Sequence, residues 1–137
     1  MKQPSLCDRI IKLDRNIRFV GIVNNKGEVI EGGFKERVEP LLNETDEQQM
    51  YIQSLSNLTT LQSYRERLGR VRYSLTEHEK VTLITFPLGD GILCLSATPK
   101  ADTNKIPDKV MKVLRSRNRS KPPRKKRNKQ IKNRAEY

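Results

Sequence analysis

The sequence predicts an α+β domain: a five-stranded, mostly antiparallel sheet with the element order α-β-β-α-β-β-β-α, followed by a disordered basic C-terminal tail. Three observations lead there. Short β-rich runs fall into two groups, punctuated by Asn/Gly and Gly/Asp turns. One long stretch of helical spacing separates the groups. Charge gathers at one end. Of the formal +12 on 137 residues, residues 115–137 hold eleven Lys and Arg against Glu136 alone, so that segment carries +10 and residues 1–114 only +2. The chain therefore divides into a nearly neutral domain, 1–114, and a basic tail, 115–137, with the last helix free to run on to about residue 118 before Pro122-Pro123 stop it.

Each element has a local reason. Ser5 to Asp14 reads as a short helix, because Ser5 and Asp8 form a capping box and Leu6, Ile10 and Leu13 share a face. "IRFVGIVNN" is β-rich and ends in Asn24-Asn25-Lys26-Gly27, residues that tolerate the positive φ of a turn. "EVIEGGF" is the returning strand, and Gly32-Gly33 are expected to weaken or bulge its end. Pro40 to Asn43 connects to a helix whose capping box is Thr45 with Gln48. Tyr51, Leu55, Leu58, Leu61 and Leu68 trace its apolar stripe, and Gly69 stands at its C-terminal cap.

Three strands follow. "RVRYSL" alternates, with Val71, Tyr73 and Leu75 on one side. "TEHEK" is a polar turn, "VTLITFP" the next strand, "LGDG" a tight turn. "ILCLSAT" is nearly all apolar, as a strand buried on both faces must be. Ile106, Val110 and Leu114 mark the last helix, with Pro107 in its first turn.

This order resembles the roadblock/LC7 fold, a relative of the longin and profilin-like sheets, over about residues 5–114. "IRFVGIVNNKGEVIEGG", "RLGRVRYS" and "KVTLITFPLGDGILCLSAT" also resemble a family of short, uncharacterised archaeal proteins. The resemblance implies a dimerising adaptor, not an enzyme, with a small GTPase as a further partner. It implies that the third strand pairs with its twin in a homodimer. Here that edge is Arg70, Val71, Arg72, Tyr73, Ser74 and Leu75, flanked by the helix of Thr45 to Leu68.

The residues themselves show no catalytic constellation. His78, the single histidine, lies between Glu77 and Glu79 in a turn, where solvation is the simpler reading. Cys7 and Cys94 sit in separate apolar runs and read as buried free thiols. No metal-ligand cluster, nucleophile–base pair or phosphate-binding glycine loop is present in the pattern; "LGDG" joins two strands. No catalytic, cofactor or metal residue is therefore expected. The lack of any run near the roughly 20 apolar residues of a membrane span argues for a cytoplasmic chain.

The tail is a different kind of site. Arg119, Lys121, Arg124, Lys125, Lys126, Arg127, Lys129, Lys132 and Arg134 concentrate positive charge, with Tyr137 the only aromatic. That pattern suits nucleic acid held through its phosphates, without base stacking. The expectation is a non-enzymatic, dimerising adaptor with a nucleic-acid-binding tail. The alternatives are a small-GTPase regulator or signalling adaptor, and a small-molecule sensor. The last is disfavoured because the strands offer few polar side chains to orient a ligand.

Overall fold

A computed structural model describes residues 5–119. Its elements are α1 (Leu6–Ile11), β1 (Ile17–Val23), β2 (Val29–Phe34), α2 (Glu44–Gln62), α3 (Arg65–Leu68), β3 (Ser74–Glu77), β4 (Thr82–Leu88), β5 (Gly91–Ala97) and α4 (Lys105–Arg119). The five strands form one sheet in the order β2-β1-β5-β4-β3, and every neighbouring pair is antiparallel. This is the expected architecture, with β5 in the middle and buried along both faces.

The local signals that hold are the ones whose chemistry is complete within a few residues. The Ser5 hydroxyl accepts from the Asp8 N–H while the Asp8 carboxylate accepts from the Ser5 N–H, closing the capping box. In the first hairpin the Asn24 side-chain oxygen accepts from the backbones of Lys26 and Glu28, and Gly27 supplies φ +84°. Gly89-Asp90 closes the β4–β5 hairpin, with Leu88 paired to Gly91.

Four expectations need correction. The long helix starts at Glu44, not in a Thr45–Gln48 box: Asn43 is its cap and accepts from the Asp46 N–H at 2.8 Å. It also stops at Gln62. The Ser63 hydroxyl donates to the Thr60 carbonyl at 2.6 Å, an alternative to helical pairing, and a short turn of helix, α3, follows. Leu61 and Leu68 are consequently exposed instead of continuing the buried stripe of Tyr51 and Leu58. The bulge in the β1–β2 pair lies at the other end from the glycine pair, where Ile22 faces Glu31 but Val23 faces Val29. Gly32 stays in the ladder at φ +93°, and a Cβ there would strike the Val20 carbonyl and the Cys7 sulfur.

The fourth correction is the third strand. Pairing begins at Ser74, which faces Thr85, and ends with Glu77 facing Thr82. Residues 70–73 lie outside it. Continuing the register backward would set Arg72 against Pro87, which has no N–H to give. Nor do the alternating residues share a side: Val71 packs with Phe19 and Tyr51, whereas Leu75 packs against the opposite core.

The sheet's two faces are covered unequally. α1 and α4 close one face over Val20, Ile84, Phe86, Leu93 and Leu95, with Ile10, Ile106 and Val110 driven between them and wholly buried. α2 crosses the other face and packs Tyr51 and Leu58 onto Phe19, Val23, Ile92 and Cys94. α4 runs through Arg119, so the first residues of the expected tail are helical.

Candidate functional site

Strand register explains why the α2 face is incomplete. One row across the sheet on that face is Thr76, Leu83, Ser96, Phe19 and Phe34. The next is Ser74, Thr85, Cys94 and Gly21. The second row consists of small side chains, so it cannot fill the space beneath a helix that packs over β1 and β5. The result is a cavity of about 680 Å³ between α2, the Leu41-Leu42 loop, the His78–Val81 turn and strands β4 and β5. On β4 the side chains facing this space, Leu83 and Thr85, are half-buried, while Ile84 and Phe86 on the closed face are buried completely.

The cavity is an uncharged environment at its floor. Burial pushes the Cys94 thiol from an ordinary 9.0 to about 12, so it stays protonated at neutral pH. Burial also raises the Tyr51 phenol, helped by the nearby Glu47. Glu47 at the rim is itself raised by desolvation and by Glu44. Ser96 is 6% exposed, and its hydroxyl has no hydrogen-bond partner. The sequence therefore understates the polar content of the sheet: Ser96 and Thr85 both border this space. Cys7, on the closed face, is likewise a buried free thiol raised to about 12, by burial first and by Glu31 next. His78 lies in the exposed turn between β3 and β4, at the rim. Among the described residues no three His, Cys, Asp or Glu side chains gather to hold a metal ion. No helix of these residues is long and apolar enough to cross a membrane.

Next to the cavity the surface is open. β3 is a four-residue edge strand without a bulge, and the chain leading into it exposes Leu61, Tyr64, Leu68 and Tyr73. Leu68 is 79% exposed. The opposite edge, β2, is interrupted by its bulge, a feature that discourages strand addition. A further signal lies in the sequence itself: from Gln48 to Tyr64 there are seventeen consecutive residues without a charge, in a chain that is 32% charged. Beyond the acidic first turn, the exposed side of α2 therefore offers Gln, Ser, Asn and Thr with Ile52 and Leu61. Of the six residues expected at the pairing edge, Ser74 and Leu75 lie in β3, while Arg70, Val71, Arg72 and Tyr73 lie in the connection before it.

The basic region begins earlier than the charge count suggests. Lys105, Lys109, Lys112 and Arg115 recur at helical spacing on the exposed side of α4, pointing away from Ile106 and Val110. Arg119 ends this helix. Lys121, Arg124, Lys125, Lys126, Arg127, Lys129, Lys132 and Arg134 lie outside the described residues, as does the expected disordered tail.

Comparison with known proteins agrees with this fold. The roadblock/LC7 domain from Streptomyces avermitilis superposes with a TM-score of 0.61 at 16% identity, covering 85% of this chain and 94% of that one. Myxococcus xanthus MglB gives 0.61 at 16% identity, covering 92% and 98%. The gliding protein MglB from Thermus thermophilus gives 0.59 at 15% identity, covering 80% and 82%. The fold is thus of the roadblock/LC7, MglB-like type. No curated protein matches the sequence. A family model matches residues 3–119, that of a family of unknown function, DUF6659.

Proposed function

The chain belongs to the DUF6659 family, and from that premise we propose that it is a non-enzymatic adaptor that pairs with a second copy of itself and attaches to nucleic acid through its basic end. The observation that carries the pairing is the charge-free exposed stretch of α2 from Gln48 onward beside the unpaired β3 edge. Association interfaces are depleted of charge at their centres, and an unpaired edge strand is a template for another strand. The roadblock resemblance implies the same edge. Arg70 and Arg72, just before β3, then flank the paired strands instead of lying within them.

The α4 stripe supports the second half of the reading. Lys105, Lys109, Lys112 and Arg115 line up along one side of a helix that leads straight into the +10 segment. Duplex or single-stranded nucleic acid would be gripped by its phosphates, and pairing would double the basic segments and raise avidity.

Fluorescence anisotropy with labelled duplex DNA and single-stranded RNA tests the nucleic-acid half. The full chain is compared with a variant in which Arg124, Lys125, Lys126, Arg127 and Lys129 are all changed to Gln. Binding by the full chain should weaken steeply with salt, log K falling by about 0.9 per phosphate neutralised on a duplex. The variant should bind far more weakly. Equal binding by both would mean the tail is not the anchor. If neither binds at physiological salt while the neutralised variant retains a small GTPase, the regulator reading takes the place of the nucleic-acid one.

A further inference from the structure

The cavity under α2 lies beside the proposed pairing surface and carries a specific chemical demand of its own. Its floor is the Ser96 hydroxyl, flanked on the neighbouring strands by Phe19 on one side and Leu83 on the other. A buried hydroxyl with no partner is costly, so it calls for an oxygen or nitrogen from elsewhere. Phe34, Leu41, Leu42, Met50 and Tyr51 give it apolar surface, and the charged Arg18, Glu47, Glu79 and Lys80 also border it. A volume of about 680 Å³ is within the range of small-ligand pockets, and so is an apolar lining with few polar groups.

We propose that this cavity binds a small uncharged amphiphile: an apolar, ring-containing body with one carbonyl or hydroxyl oxygen that accepts a hydrogen bond from Ser96. The absence of charge follows from the surroundings. The floor offers Ser96, Thr85 and the protonated Cys94 thiol, and the lining cations Arg18 and Lys80 are matched by Glu47 and Glu79, so no net positive charge awaits an anion. Glu47 at the rim already resists ionisation, and an anionic ligand would worsen its position. The body is compact because about 680 Å³ holds only a small molecule. Phe19 stacks on Tyr51 at 6.0 Å between ring centres, which gives one wall an aromatic surface for a ring to lie against.

The test uses the full chain and Prodan, a neutral aromatic ketone whose emission moves to the blue when it leaves water. The full chain should give a saturable blue shift with one site per chain. Ser96→Ala should weaken that binding by roughly 3–10-fold, the loss of one hydrogen bond. Leu83→Trp, which fills the space directly beside Ser96, should abolish it. Circular dichroism confirms that each variant keeps its fold. The anion 2-naphthoate should bind at least about tenfold more weakly than Prodan, since desolvating its charge costs more than a lining of balanced charges returns.

No saturable shift, or an unchanged affinity in either folded variant, would overturn the proposal. Naphthoate binding as tight as that of Prodan would also do so, by removing the argument for neutrality. Prodan binding that appears only on dilution, as copies separate, would assign the space to a second copy of the chain. A Leu68→Ser variant that no longer self-associates yet binds Prodan as before would separate this site from the pairing surface.

Discussion

The two faces of the sheet use the same strands to different ends. On the α1/α4 face, Val20, Ile84, Phe86, Leu93 and Leu95 meet two helices, and the layer is closed. On the α2 face, the alternate residues of the same strands meet one helix packed over β1 and β5, and the β4 side is left open. The difference arises from side-chain size. Phe86 and Leu93 fill the closed face, while Thr85, Cys94 and Gly21 leave room on the other. One well-packed face can hold an antiparallel sheet together, and here the second, with its smaller core under α2, carries the open space.

The largest effect expected from this contrast is in the closed layer. Phe86→Ala should cost about 3–5 kcal/mol in a urea titration, because the ring is wholly buried and its removal leaves a cavity. A loss near that of a surface substitution would mean the closed face does not carry the fold. Gly32→Ala comes next, at about 3 kcal/mol, since the new Cβ would meet the Val20 carbonyl in a conformation L residues avoid. A near-neutral outcome would show that β2 can shift outward and that this edge is looser than described.

The thiols sharpen the comparison because one lies on each side. Both Cys7 and Cys94 are raised from an ordinary 9.0 to about 12 in the fold. Their contribution is intact below the pH at which an unfolded thiol ionises. Above it the unfolded chain gives up protons that the fold retains, so stability should fall as pH rises from about 9 toward 12, by up to about 1.4 kcal/mol per pH unit for each thiol. Cys7→Ala and Cys94→Ala should each flatten part of that slope. If only Cys7→Ala does, the cavity side is wet enough to let Cys94 ionise in place.

The smallest stability effect belongs to the open side. Leu68→Ser should change the stability of dilute protein by no more than about 0.5 kcal/mol, given how little of the side chain is buried, while weakening self-association. A substantial loss of stability with no change in association would place Leu68 in the fold and not in the interface.

What could be read in the sequence divides along a related line. The Ser5–Asp8 cap, the Asn24–Gly27 and Gly89–Asp90 turns, and the burial of β5 depend on neighbours along the chain, and each stands as expected. The start of β3 depends on Pro87 across the sheet, so "RVRYSL" looks like a strand when only its last two residues form one. The helix stop at Ser63 turns on a side-chain bond competing with the backbone, which spacing cannot register. The cavity is harder still, since Gly21, Thr85 and Cys94 become neighbours only through register. The charge-free run from Gln48 to Tyr64 is plain in the sequence, and it marks the exposed side of α2 as unlike the remaining surface.

Sedimentation equilibrium of the full chain over a range of concentrations tests the central claim, that the open α2–β3 side is where a second copy binds. Pairing through this side gives a mass approaching twice the 15.9 kDa of one chain, falling toward a single chain when Thr76→Pro disrupts the β3 edge. A mass of 15.9 kDa at every concentration, or a dimer indifferent to Thr76→Pro, would contradict it.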